Sequence, residues 1–155
     1  MTQILLDSNL LLLWVVGNAD TNFIRSNKRL KAFDERAYHL LCGEIEHASV
    51  LVVTPHILAE VSNLLDLKAT PQKTPLAAQF KRMVLATTTL EIYQRSKELV
   101  NSRVFQRLGL SDCAISALDA DIKVLTCDLD LYLYLCEIGR QERAINFSSL
   151  RDANY

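Results

Sequence analysis

Glycine and proline are scarce in this sequence, at four and three of 155 residues. That scarcity excludes collagen-like and low-complexity chains, which are rich in both. It predicts long regular elements with few irregular loops. Net charge is nearly absent too, since 17 Lys+Arg stand against 18 Asp+Glu, leaving −1. A protein that wraps nucleic acid through overall positive charge is thereby excluded, although a local basic patch is not. Long apolar runs are missing. The longest, Leu10 to Val16, falls far short of the roughly 20 residues of a membrane-spanning helix. The first residues lack the basic start of a secretory leader, so no membrane association and a cytoplasmic location are expected. The four cysteines, Cys42, Cys113, Cys127 and Cys136, form no CxxC pair, and His39, His47 and His56 do not stand at zinc-ligand spacing from them. They read as small buried hydrophobes in a reducing compartment.

What is present is apolar content, 50% of residues against 23% charged. That suits one globular domain over residues 1–155. Short continuous apolar runs at Gln3–Leu6, Val50–Thr54 and Lys123–Cys127 read as buried strands. Thr88–Tyr93 and Ala144–Phe147 add two weaker candidates. Helical stretches separate them. Asn9–Val16 is ended by Gly17-Asn18-Ala19-Asp20, Asp34 caps a helix to about Ala48, and Pro55 starts another to about Asp66. A polar connection covers 68–74, a further helix runs over about 75–86, and another passes through Leu99 and Val100. Ser111 is read as the N-cap of a helix through Leu118, and a Leu- and Tyr-rich helix runs to about Ile138. Unalternating apolar strands interleaved with helices predict an α/β fold whose central parallel sheet is covered on both faces. Ligands of such sheets bind beyond the carboxyl ends of the strands.

Four acids fall at that edge. Asp7 ends the first strand, Asp128 follows the Lys123–Cys127 strand, Asp112 sits in the first turn of a helix, and Glu60 lies about one turn into another. Ile57 precedes Glu60 by three positions and Leu64 follows it by four. This spacing puts Glu60 on an apolar helix stripe, where an acid needs a partner. Taken singly, Asp7 and Asp112 are accounted for as helix caps and Asp128 as the end of a strand. Four together, without matching cations, are better accounted for as hard oxygen ligands for Mg²⁺ or Mn²⁺.

The segments carrying these acids resemble those of the PIN-domain family, the fold of VapC-type toxin ribonucleases. Ile4-Leu5-Leu6-Asp7-Ser8-Asn9 resembles the family's opening strand, and Thr54-Pro55-His56-Ile57-Leu58-Ala59-Glu60 its glutamate segment. Leu108 to Ile115 resembles the third-acid helix, and Val124-Leu125-Thr126-Cys127-Asp128-Leu129-Asp130-Leu131 the Thr-x-Asp segment. The resemblance implies a three-layer α/β/α sandwich and metal-dependent hydrolysis of RNA phosphodiester bonds. It implies that Asp7, Glu60, Asp112 and Asp128 act as metal ligands, with Asp130 able to share or replace the role of Asp128. Asn9 and Thr126 match supporting polar positions. It also implies a toxin–antitoxin setting, with a protein inhibitor and a homodimer as partners. The basic run Arg25, Lys28, Arg29 and Lys31 is either solvated surface or a grip on an RNA backbone. Two other functions remain open at this point. One is a non-catalytic module binding RNA or a protein partner, and the other is a metal-dependent phosphohydrolase of another α/β family.

Overall fold

The apolar run Gln3–Leu6 (β1) forms the middle of a five-stranded sheet in the computed structural model, which describes residues 1–68 and 71–155. The other strands are β2 (Val50–Val53), β3 (Thr89–Glu91), β4 (Lys123–Thr126) and β5 (Ala144–Asn146). Their order is β3-β2-β1-β4-β5 and every pairing is parallel. Leu5 pairs with Val52 on one side and Val124 on the other. Ile4, Leu5 and Leu6 are all buried, as a strand covered by helices on both faces must be. The protein is a three-layer α/β/α sandwich.

Ten α-helices lie among the described residues. The first five are α1 (Ser8–Ala19), α2 (Asn22–Ser26), α3 (Glu35–Glu46), α4 (Pro55–Leu65) and α5 (Thr74–Leu85). The rest are α6 (Ser96–Leu99), α7 (Phe105–Leu108), α8 (Leu110–Ser116), α9 (Leu129–Glu137) and α10 (Phe147–Asn154). None exceeds 12 residues, and no helix among the described residues is long and apolar enough to cross a membrane. Scarce glycine and proline did not bring long elements, because stretches such as 92–109 turn through short helices capped by ordinary residues. Of the polar connection read at 68–74, residues 69 and 70 lie outside the described set.

Local chemistry accounts for half of the ten α-helix starts. Asp7, Asp34, Thr54, Asp128 and Asn146 each accept a backbone N–H of the first turn, at α1, α3, α4, α9 and α10. Two expectations need correction. Helix α1 does not stop before Gly17 but runs to Ala19. Gly17 is there because the Tyr38 ring of α3 occupies the space a Cβ would need. The Tyr38 hydroxyl then donates to Asn18 Oδ1 at 2.7 Å. Gly17→Ala is expected to displace that ring and cost about 1–3 kcal/mol in thermal melting. An unchanged midpoint would show that the ring is not pinned. Ser111 is likewise not the N-cap of α8. Gly109 holds that position with φ 80°, in the left-handed region that glycine favours.

The chain lays down β1, β2 and β3 in one direction, then crosses back past β1 to add β4 and β5. The strand order therefore reverses between β1 and β4, and the crevice at their carboxyl ends is the topological switch point. Asp7 follows β1 directly, and its N–H donates to Leu125 O of β4 at 3.0 Å.

Candidate functional site

Asp7 is the innermost of the four acids, buried at 5% exposure. Its Oδ1 accepts the Leu10 N–H at 2.9 Å. Its Oδ2 accepts the Thr126 hydroxyl at 2.6 Å and the Cys127 N–H at 2.7 Å. Two donors fill Oδ2, so one lone pair of Oδ1 is what this carboxylate has left to offer. Burial pushes its pKa up, the three donors pull it back, and the neighbouring Asp128 charge raises it again. Thr126 is fully buried and also accepts the Asp128 N–H at 2.9 Å. It ties the ends of β1 and β4 together. The same surroundings push the Cys127 thiol up to about 12, through burial first and the Asp7 charge second. All four cysteines are free.

Asp112, in the first turn of α8, is held by apolar packing behind it. Its neighbours Cys113 and Ala114 join Leu99 in a small apolar cluster with Phe105 and Leu108, while Ile115 enters the main core. Its pKa is pushed up to about 7, by burial first and then by the charges of Asp128, Asp7 and Glu60. Each of the other three acids thus acts on it electrostatically. Among the described residues none of the four forms an ion pair with Lys, Arg or His.

Glu60 departs from its sequence reading. It is exposed, and the buried stripe of α4 is Ile57, Val61 and Leu65, one position out of phase with it. Its partner is the Ser111 hydroxyl, which donates to Oε2 at 2.7 Å across the crevice. Sequence reasoning missed this role because a serine at a helix start reads as a cap. Ser111→Ala is expected to weaken Mn²⁺ binding by roughly three- to tenfold in calorimetric titration, with Ser111→Thr near wild type. Equal affinity in all three proteins would leave the hydroxyl without a positioning role.

Asp128 N-caps α9 through Oδ1, which accepts the Leu131 N–H at 3.0 Å, and its other oxygen faces solvent-accessible space. Asp130 does not join the cluster. Arg107 of α7 reaches it instead, with Nε 3.8 Å from Oδ1 and Nη1 3.9 Å from Glu137. Asn9 lies exposed on the first turn of α1 at the same edge. Lys123 sits at the opposite end of β4, 2.7 Å from Glu44, and His56 bonds the Ser96 hydroxyl at 2.8 Å rather than an acid. Arg25, Lys28, Arg29 and Lys31 are all exposed on α2 and the turn that follows it.

As arranged, no group of three or more His, Cys, Asp or Glu side chains among the described residues is gathered tightly enough to hold one metal ion. The physical reason is visible in the bonds: Asp7 is pinned, Ser111 tethers Glu60, and like charges spread when nothing neutralises them. The donor set itself is all hard oxygen, which is the chemistry Mg²⁺ and Mn²⁺ select.

No protein-family model matches the chain, nor does any curated protein or solved structure. Its class is therefore defined by its fold: a doubly wound α/β protein with a five-stranded, all-parallel central sheet.

Proposed function

We propose that this chain is a divalent-metal-dependent ribonuclease, hydrolysing RNA phosphodiester bonds at the β1–β4 crevice. What supports the reading is that Asp112 feels the charges of Asp128, Asp7 and Glu60 together, while among the described residues none of the four pairs with a cation. Such a cluster stores repulsion that a divalent ion relieves. Glu60, Asp112, Asp128 and the remaining lone pair of Asp7 would hold Mg²⁺ or Mn²⁺. A bound ion of this kind neutralises a scissile phosphate and lowers the pKa of an attacking water.

The chain's own residues prepare the site. Thr126 and the Cys127 N–H fix the Asp7 carboxylate and keep it from turning. Ser111, the residue before Asp112, donates to Glu60 and ties α4 to the start of α8. Asp112, half-buried, carries its proton close to neutral pH until positive charge arrives. RNA as substrate, and a toxin–antitoxin setting, are supported by the four PIN-like segments that hold these residues. A homodimer and an inhibitory protein partner belong to the same resemblance. Leu129 and Leu133, one turn apart on α9 and 58% and 43% exposed, give such a partner an apolar footing.

The test uses purified protein on a panel of structured RNAs. Cleavage is expected with Mg²⁺ or Mn²⁺, and none after EDTA. Cleavage indifferent to EDTA sinks the mechanism. Turnover of small phosphomonoesters without RNA cleavage points to another phosphohydrolase, and RNA binding without turnover points to a non-catalytic module.

A further inference from the structure

A cleft of about 580 Å³ opens beside the C-terminal half of α4, lined chiefly by Asn27, Lys28, Arg29, Asn63, Asp66 and Lys73. None of the four acids lines it, but Glu60 belongs to the same helix. Asn63 and Leu64 stand three and four residues beyond Glu60, on the same face and about 5 Å further along the axis. That is of the order of one step between neighbouring backbone phosphates.

The structure divides the basic run and adds to it. Lys28 and Arg29 line the cleft, whereas Arg25 and Lys31 do not. Lys73, distant in sequence, comes to the opposite wall, where its Nζ donates to Leu65 O at 3.2 Å and is held over the end of α4. Asn27 accepts the Arg29 N–H at 2.9 Å and fixes that turn. Three cations and two neutral amides thus face one acid, Asp66, which ends α4 at φ 48°.

We infer that this cleft is a backbone-phosphate subsite, holding single-stranded RNA where it leaves the acid cluster along α4. The inference rests on the ribonuclease reading for the choice of RNA. Its volume is that of a small-ligand pocket, so it takes a nucleotide or two of one strand. Cations gripping phosphate satisfy the need the acid cluster creates: the cluster repels an incoming phosphodiester, and positive charge gathered at the end of α4 offsets that repulsion.

The experiment measures binding of a fluorescent oligouridine to the full chain carrying Asp112→Asn, which leaves the strand uncut, across a series of salt concentrations. Adding Lys28→Ala, Arg29→Ala and Lys73→Ala together is expected to weaken binding by roughly tenfold and to flatten the log–log salt slope by about 2, at about 0.7 per phosphate contact on single strands. Adding Arg25→Ala and Lys31→Ala instead is expected to change affinity by less than about twofold. Asp66→Asn keeps a residue that tolerates its backbone conformation and is expected to tighten binding. Equal losses in the two alanine sets overturn the inference, because the cations then act only as diffuse charge. Preference for an acidic peptide over oligouridine overturns it as well. The two readings separate cleanly. If the oligonucleotide follows this pattern but the wild-type protein never cuts RNA, the cleft stands and the ribonuclease falls. If wild-type protein cuts RNA with metal and the triple variant keeps its KM, the cleft alone falls.

Discussion

Asp112→Asn protein is expected to melt higher than wild type in ion-free buffer above pH 7, while cutting RNA roughly a hundredfold or more slowly. The two effects share a cause. In the folded protein the Asp112 pKa rises from its ordinary 3.8 to about 7, through burial and three neighbouring acids. A carboxyl that holds its proton more tightly when folded stabilises the fold fully below the unfolded value. That stability is lost as pH rises through the folded value. Above pH 7 the ionised Asp112 therefore works against folding, and asparagine removes that charge at similar volume. After discounting for solvent screening at a half-buried site, the gain is roughly 1–2 kcal/mol, or about 2–6 °C. Below about pH 4 the two proteins are expected to melt alike. Mn²⁺ should raise the melting temperature of the wild type more than that of the variant, since the ion binds only the folded state. Melting curves at several pH values check this, and a variant no more stable than wild type above pH 7 would show that the acids are not crowded. A site that costs stability in exchange for reactivity is the expected trade at a functional centre.

Arg140→Met is expected to be the most damaging single change outside the site. Arg140 is 5% exposed and has no acid within ion-pair distance among the described residues. Its Nη1 donates to the carbonyls of Ile115, Ser116 and Leu118 at 3.3–3.5 Å. Its Nη2 donates to those of Asp119 and Ile122 at 3.1 Å. These carbonyls end α8 and form the turn into β4, so one guanidinium closes the element that presents Asp112. Methionine leaves several buried acceptors without donors, at a cost of about 3–5 kcal/mol, or roughly 10 °C in melting temperature. Arg140→Lys is not expected to rescue it, because an ammonium lacks the planar fork that spans both sets of carbonyls. A midpoint within about 2 °C of wild type for either variant would show that the turn holds without this side chain. Activity should fall with stability here, whereas at Asp112 the two move in opposite directions.

Much of the architecture was legible from residue pattern alone. Runs such as Ile4-Leu5-Leu6 and Val50–Val53 are apolar without alternation, and only strands buried on both faces need that. Asp34 marked one helix start as a cap and Pro55 another, because an N-cap bond and the fixed φ of proline are both local to the first turn. The same locality misled at Ser111, whose partner Glu60 is 51 positions away. It also misled at Gly17, whose reason is a ring on another helix.

The sequence by itself determined that the strands are parallel and buried, that Asp7, Asp112 and Asp128 sit at strand ends or in a first helical turn, and that Glu60 lies about one turn into its helix. Periodicity and capping report how the chain behaves over a few residues, and those facts need no more. Tertiary structure decided the rest. Placing β4 beside β1 set Asp7 and Asp128 across one crevice, and turned Asp130 toward Arg107 instead. Bringing Lys73 to Lys28 and Arg29 joined distant charges around one cleft. Such contacts depend on strand order and helix packing, where the free energy of a pairing is shared across the whole core and no short segment records it.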